Sequence, residues 1–243
     1  MTDEPMRASA SAMRIRGLLE HGEMEVLGLL PYASNATFLA RVQDADRSAL
    51  AVYKPRRGER PLWDFAPGTL CLREYAAAVV DEAIGWSLVP PTVLRDGPAG
   101  FGAVQLFVEE DESCDPRELL ATRADDLRRV ALFDVLVNNA DRKAGHLLVD
   151  TSGHLWSVDH GICFHDEPKL RTVIWAFEGE RIPDSLVRDI EALRSASTAF
   201  EALRELLDVA EVDALCRRID RLLRTHRYPS PAPGGRHVPW PPW

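Results

Sequence analysis

The chain has 243 residues, 46% hydrophobic and 28% charged, enough to bury a sizeable core as one large domain or two small lobes. Its net charge of −9 excludes a general nucleic-acid binder and weighs against strong attraction to an anionic membrane. No apolar run approaches the ~20 residues that span a bilayer, so no integral membrane contact is expected. The first residues lack the apolar core of a secretory signal. Cys71, Cys114, Cys163 and Cys216 are scattered without a C-x-x-C pair, which suits reduced thiols in the cytoplasm.

Residues 4–21 read as a helix stopped by Gly22. Glu23–Leu30, Thr37–Gln43 and Ala49–Lys54 read as strands separated by turn residues. Residues 55–68, rich in proline, glycine and charge, read as a loop. Thr69 is placed to cap a helix whose apolar stripe, from Leu72 to Ile84, runs up to Gly85. Val89–Leu94 and Gly102–Val108 flank an Asp96-Gly97-Pro98 turn, and the acidic stretch Glu109–Ser113 reads as a lobe boundary. Asp125 can cap a helix through Asn138, with Leu127, Val130, Ala131, Asp134 and Val137 on one side.

A hairpin is expected from His146–Asp150 and Leu155–Asp159 around Thr151-Ser152-Gly153, then helices near 184–194, 198–209 and 211–224. The segment after Arg227 is rich in proline and tryptophan and reads as extended. Strands first and helices later give an α+β, two-lobed reading: residues 1–108, residues 109–227, and a Pro/Trp-rich tail over 228–243.

The chemistry sits in Asn139-Ala140-Asp141-Arg142-Lys143-Ala144-Gly145-His146 and in Ser157-Val158-Asp159-His160-Gly161. An Asp-Arg pair after an apolar helix, a hairpin, and then Asp-x-Gly follow the order of a kinase catalytic loop and its metal-binding carboxylate. Phosphoryl transfer needs a cover for the phosphates, a cation on them, metal ligands, and a residue that orients or deprotonates the nucleophile. Asp141 is the candidate base, with Arg142 and Lys143 beside it to offset charge on the transferring group.

Asp159 is the candidate metal ligand. His146 stands where the kinase signature has asparagine, five positions after the catalytic aspartate. Imidazole suits softer ions than Mg²⁺. Three roles therefore stay open for His146: an Mn²⁺ ligand, a donor to phosphate, or a bystander in a site with one metal.

Lys54, ending Ala51-Val52-Tyr53-Lys54, resembles the strand lysine that pairs with nucleotide phosphates, and Glu74 on the next helix is its candidate ion-pair partner. The turn before the second strand lacks G-x-G-x-x-G, yet Ser34, Asn35 and Thr37 offer hydroxyl and backbone donors to phosphate. No Walker A motif is present, so a P-loop NTPase is excluded at motif level.

Segment 127–164 resembles the catalytic and metal-binding regions of phosphatidylinositol 3-/4-kinase-like proteins, whose loop reads Asp-Arg-His-x-x-Asn. The chain as a whole is similar to small bacterial, actinobacterial-type members of that family with no assigned substrate. The likeness is carried by Ser34-Asn35-x-Thr37-Phe38, Tyr53-Lys54-Pro55 and Val158-Asp159-His160-Gly161-Ile162-Cys163-Phe164. It implies a protein-kinase-like fold with ATP and Mg²⁺ or Mn²⁺ between a strand-rich and a helical lobe. It also implies a hinge near Gln105 and Phe107 whose backbone meets the adenine.

The reading is an atypical ATP-dependent kinase acting on a hydroxyl of an unknown small-molecule or protein acceptor. A nucleotide-binding pseudokinase or adaptor is the first alternative, with Trp240 and Trp243 of the tail offered to a protein partner. The second is a metal-dependent hydrolase built from His146, His154, His160 and His165 with neighbouring aspartates. Trp63, Trp86, Trp156 and Trp175 are expected to pack in the core.

Overall fold

Strands β1 (Glu23–Leu29), β2 (Phe38–Gln43) and β3 (Ser48–Pro55) run as an antiparallel meander. β3 then pairs with β5 (Gly100–Leu106), which pairs with the edge strand β4 (Thr92–Gly97). These assignments come from a computed structural model that describes residues 4–31, 35–111, 113–231 and 234–242. Alternation at every second residue sends Ala51 and Tyr53 of β3 to one face, where they meet Ala40, Val42, Val93 and Val104. Leu18 and Leu19 of helix α1 (Glu4–His21) close that core. Lys54 necessarily turns to the opposite face.

The chain separates into two compact units, Met1–Ala78 with Pro90–Val108, and Val79–Val89 with Glu109–Trp243. The division falls inside helix α2 (Leu70–Ile84). The start of α2 differs from the expectation at Thr69. The Thr69 hydroxyl donates to the Ala66 carbonyl, and the two carboxylate oxygens of Glu59 accept from Leu70 N (3.1 Å) and Cys71 N (2.9 Å). A carboxylate satisfies two orphan donors at once and complements the positive helix start, which one hydroxyl does not match.

The β4–β5 turn also differs. The ladder continues through Asp96 and Gly97 to a Gly97–Gly100 pair, leaving Pro98-Ala99 as a two-residue loop. Gly100 takes φ 94°, a conformation open to glycine. Trp63, expected in the core, is 91% exposed on the loop before α2.

Helices α3 (Pro116–Thr122) and α4 (Ala124–Val137) begin the second long segment. α3 was not expected; Pro116 at its first position is compatible with a helix start, where a missing N–H costs nothing. Asp125 lies in the first turn of α4 and does not cap it. A short hairpin follows, β6 (Leu147–Val149) and β7 (Leu155–Ser157). α5 (Asp184–Arg194), α6 (Ser197–Leu206) and α7 (Val209–Thr225) then complete the unit, with α5 and α6 packed on α7. α7 carries the capping box of Asp208 and Glu211 at its start.

Asp81 near the end of α2 is a buried carboxylate with an unusual load. One oxygen accepts from Val89 N (2.9 Å), while the other is enclosed with no hydrogen-bond partner among the described residues. Burial pushes its pKa up to about 6, against the pull of Val89 N, Leu88 N and His154 and with a push from Glu82. The folded state therefore keeps this proton to a higher pH than the unfolded chain, and stability falls as pH rises from about 4 to about 6. Asp81→Asn retains an acceptor for Val89 N and removes the charge. The variant is expected to be more stable than wild type by about 1–2 kcal/mol at pH 7.5, with the gap closing towards pH 4, in urea unfolding at both pH values.

Candidate active site

In the first unit, the ammonium of Lys54 on β3 is ion-paired with Glu74 Oε1 on α2, and Glu74 is buried. The pair ties β3 to α2. Asn35 is committed locally: its Oδ1 accepts from Arg60 N (2.8 Å), tying the β1–β2 connection to the following loop. Thr37 is buried and its carbonyl accepts from Leu30 N. Ser34 lies outside the described residues.

Gln105 is also buried. Its side-chain amide donates to Thr92 Oγ1 (2.9 Å), and its backbone sits in the ladder between β3 and β4. Phe107 N donates to Leu50 O (3.0 Å). The sheet thus engages Gln105 and the Phe107 N–H, at two of the positions expected at a hinge.

In the second unit, everything is organised around one buried guanidinium. Arg142 has 0% of its surface exposed and pairs with Asp134 of α4, its Nε 3.1 and 3.2 Å from the two carboxylate oxygens. Its terminal nitrogens donate to Val158 O (2.8 Å), His146 O (3.3 Å) and His160 Nε2 (2.8 Å). Asp134 also accepts from Asn139 Nδ2 (3.0 Å) and Thr172 Oγ1 (3.3 Å). Arg142 therefore does not stand free beside Asp141, as the sequence reading had it. An arginine has five donors in a rigid fork, and here at least four of its contacts are internal.

Asp141 sits on a turn closed by its own N–H donating to Asn139 Oδ1 (2.9 Å). Its carboxylate is 3.0 Å from Lys143 Nζ. Burial raises the Asp141 pKa above the usual aspartate value; Lys143 opposes the rise and Asp159 adds to it. Asp159 takes a left-handed backbone conformation (φ 62°) and leaves half of its side chain exposed. His146 Nε2 is 3.4 Å from Asp159 Oδ2, while its Nδ1 lies 3.5 Å from the Lys143 backbone N–H, which points at it. A neutral imidazole whose Nδ1 accepts carries its proton on Nε2, towards Asp159.

The sequence reading missed the side chains that hold these turns. Asn138 ends α4 in a left-handed conformation and clamps the segment beyond Asp159, donating to His165 O (2.8 Å) and Glu167 O (2.7 Å) and accepting from Lys169 N (2.9 Å). Asp134 did carry a signal: an acidic residue on the apolar stripe of a helix must find a buried partner.

The sequence model of the family described as phosphatidylinositol 3- and 4-kinase matches residues 96–226, more than half of the chain. The chain belongs to the phosphatidylinositol 3- and 4-kinase family. Protein Rv2133c of Mycobacterium tuberculosis is 42% identical over 277 aligned positions, covering 97% of this chain and 99% of that protein. Phosphatidylinositol 4-kinase gamma 4 of Oryza sativa subsp. japonica is 32% identical over 129 positions, 45% of this chain and 23% of that protein. The chain thus spans about a quarter of the plant relative's length.

Among solved structures, the Golgi casein kinase with Mn/ADP bound superposes with TM-score 0.60 at 16% identity, covering 90% of this chain and 76% of that one. The Helicobacter pylori proinflammatory kinase CtkA gives 0.51 at 12%, covering 85% and 93%. The fold is kinase-like and two-lobed, a strand-rich unit followed by a helical one, as the sequence implied. No helix among the described residues is long and apolar enough to cross a membrane.

For a phosphatidylinositol 3- and 4-kinase family member, the donor set bears on the metal. No three His, Cys, Asp or Glu side chains converge as a cage among the described residues. Mg²⁺ and Mn²⁺ at phosphates take one or two carboxylates and fill the remaining positions with phosphate oxygens and water. Asp159, half exposed, fits as such a carboxylate. His146 fits less well, because a metal-bound imidazole normally donates its other N–H, and here Nδ1 faces a donor.

The histidines of the hydrolase alternative are separately engaged. His154 Nε2 is 2.8 Å from Ser87 O, His160 meets Arg142, and His165 pairs with Asp166 at 3.0 Å.

Proposed function

We propose that the chain transfers the γ-phosphoryl group of ATP to a hydroxyl acceptor, with Asp141 as the base. The observation that carries this reading is the placement of the buried Arg142. It belongs to the Asp141 turn and donates to the carbonyl immediately before Asp159, so one side chain fixes the relative placement of the two aspartates. In the transfer, the acceptor oxygen bonds to the γ-phosphorus while the bond from that phosphorus to the β,γ-bridging oxygen breaks. ADP leaves, and the hydroxyl proton passes to Asp141. Lys143, 3.0 Å from Asp141, offsets negative charge as it develops.

Lys54, charged and held by Glu74, is the phosphate clamp. Asp159 is the carboxylate for a divalent ion, which when bound supplies charge neutralisation at the phosphates. The nucleotide and metal assignment is supported by the fold neighbour solved with Mn/ADP. The names of the relatives span phosphatidylinositol and casein kinases, so acceptor class must be argued from the site.

His146 acts on Asp159 rather than on the ion in this reading, through the Nε2–H directed at the carboxylate. His146→Ala is therefore expected to weaken Mn²⁺ binding roughly tenfold, as loss of a ligand's supporting hydrogen bond does, while leaving the Mg²⁺/Mn²⁺ preference unchanged. Titration of the nucleotide-loaded protein with each ion checks both halves, and an altered preference would make His146 a ligand.

The whole reading is tested by thermal unfolding with and without ATP in Mn²⁺ and in Mg²⁺. A ligand at ~100 times its dissociation constant adds ~2.7 kcal/mol to the folded state. A metal-dependent rise in melting temperature that disappears in Asp159→Ala is the expected result. No shift with ATP in wild type rejects the nucleotide site.

A further inference from the structure

Residues 234–242 lie against the catalytic turn itself. The Pro242 carbonyl accepts from Ala144 N (2.9 Å), and Ala144 stands three positions after Asp141. The His237 carbonyl accepts twice, from Thr172 N (3.0 Å) and from Trp175 Nε1 (2.9 Å), and the His237 ring meets the Trp175 ring edge-on. Thr172 is bridged to Arg142 and donates its hydroxyl to Asp134. The segment therefore spans from Thr172, bridged to Arg142, to the loop that carries Asp141 and Lys143.

The surface it covers offers donors: two backbone N–H groups and an indole N–H. The segment is matched to it, because Pro239, Pro241 and Pro242 have no N–H to leave unsatisfied and their carbonyls are free to accept. Recognition of a proline-containing chain by main-chain contacts beside an aromatic ring is a recurrent mode of peptide binding; here the chain bends at Val238, Trp240 and Pro241. Few side chains anchor the segment. Pro239 is buried, but Val238 is 43% and Trp240 81% exposed. A stretch held by a few hydrogen bonds and little apolar burial opens at low cost.

We propose that this surface is the acceptor groove, that it takes a proline-containing polypeptide bearing a serine or threonine, and that residues 236–242 occupy it in cis as an autoinhibitory strap. The proposal rests on the kinase reading above. The acceptor hydroxyl gives its proton to Asp141 and receives the γ-phosphoryl group as ADP departs. The strap, which has no serine, threonine or tyrosine among residues 236–242, occupies the groove without reacting.

The test uses the full chain with His237→Ala and Pro239→Asp, which loosen the strap and touch none of the groups assigned to chemistry. Backbone hydrogen exchange at Ala144 and Thr172 is expected to speed up at least tenfold, with Asn139 and Phe164 unchanged. A peptide with the sequence of residues 234–242, carrying serine in place of Val238, is expected to restore protection at those two amides. The loosened protein should also phosphorylate it with kcat/KM at least fivefold above wild type.

Freed amides without faster peptide phosphorylation overturn the proposal, as does a fall in turnover, which would make the segment a part of the catalytic site. Amides already fast in wild type overturn the strap. A peptide that leaves Ala144 and Thr172 unprotected overturns the groove. Failure of ATP to shift the melting temperature in either protein is a failure of the kinase reading instead, and peptide protection at Ala144 and Thr172 then still decides the groove.

Discussion

Arg142→Ala is expected to lower stability by about 3–5 kcal/mol, because it leaves the Asp134 carboxylate buried with its charge uncompensated. Removing the charge from both sides changes the sign of the argument. Asp134→Leu with Arg142→Met replaces a buried ion pair by apolar groups of similar size, which is often neutral or stabilising. The double variant should thus recover most of the stability in urea unfolding while phosphoryl transfer stays depressed. Recovery of stability without recovery of turnover would separate the two jobs of Arg142. As a packing element it neutralises Asp134; as a positioning element it donates to Val158 O and His146 O, which methionine cannot do. Full recovery of transfer would show that the carbonyl contacts have no part in placing Asp159.

Asp141→Asn is expected to cut transfer by roughly 10²–10⁴-fold, the usual contribution of a positioned general base, while sparing the ATP-induced melting shift. The amide preserves shape and the Asn139 turn, so what is lost is the capacity to take a proton. The pH profile carries a second check. Burial and Asp159 hold the Asp141 pKa above the ordinary aspartate value while Lys143 holds it down. The base must be deprotonated to act, so the acid limb of kcat/KM should lie above the usual aspartate range. Lys143→Gln removes a stabilising positive charge and should move that limb further towards alkaline pH. A limb that stays in place or moves to lower pH would contradict the 3.0 Å Lys143–Asp141 pair as the source of the tuning.

Asp141 and Asp159 could be picked out as candidates because phosphoryl transfer, where it occurs, constrains residue type and order together. Asp141, a hairpin, and Asp159-His160-Gly161 are a pattern that survives in one dimension. Lys54 and Glu74 were legible for a related reason, a lysine at a strand end followed by a helix with an acid, and the ion pair formed. Arg142 was misread because adjacency in sequence says nothing of direction. Neighbouring residues on a turn diverge, and Arg142 points inward to Asp134 while Asp141 stays accessible to solvent in part. For Gln105 and Phe107 the sequence does not tell a strand from a hinge. Gln105 lies in β5 between β3 and β4, and Phe107, just past that strand, gives its N–H to Leu50 O.

Glu59 shows the same limit on a smaller scale. Its place in sequence, eleven residues before Leu70, gives no hint that it caps α2. The loop has to fold back before the carboxylate meets the helix start.

The sequence by itself determined the α+β class, the order of the strands and of every helix but α3, and the candidate chemical groups. Each of these follows from local periodicity, turn residues and motif spacing, which are properties of short stretches of chain. Only the tertiary structure decided which charged groups are spent internally and which remain available. Asp134 with Arg142, Glu59 with α2, and residues 236–242 with the Asp141 turn all join positions remote in sequence or opposed in direction. A buried donor or acceptor must be paired wherever the fold brings a partner, and that partner is chosen by three-dimensional packing, on which a one-dimensional pattern is silent.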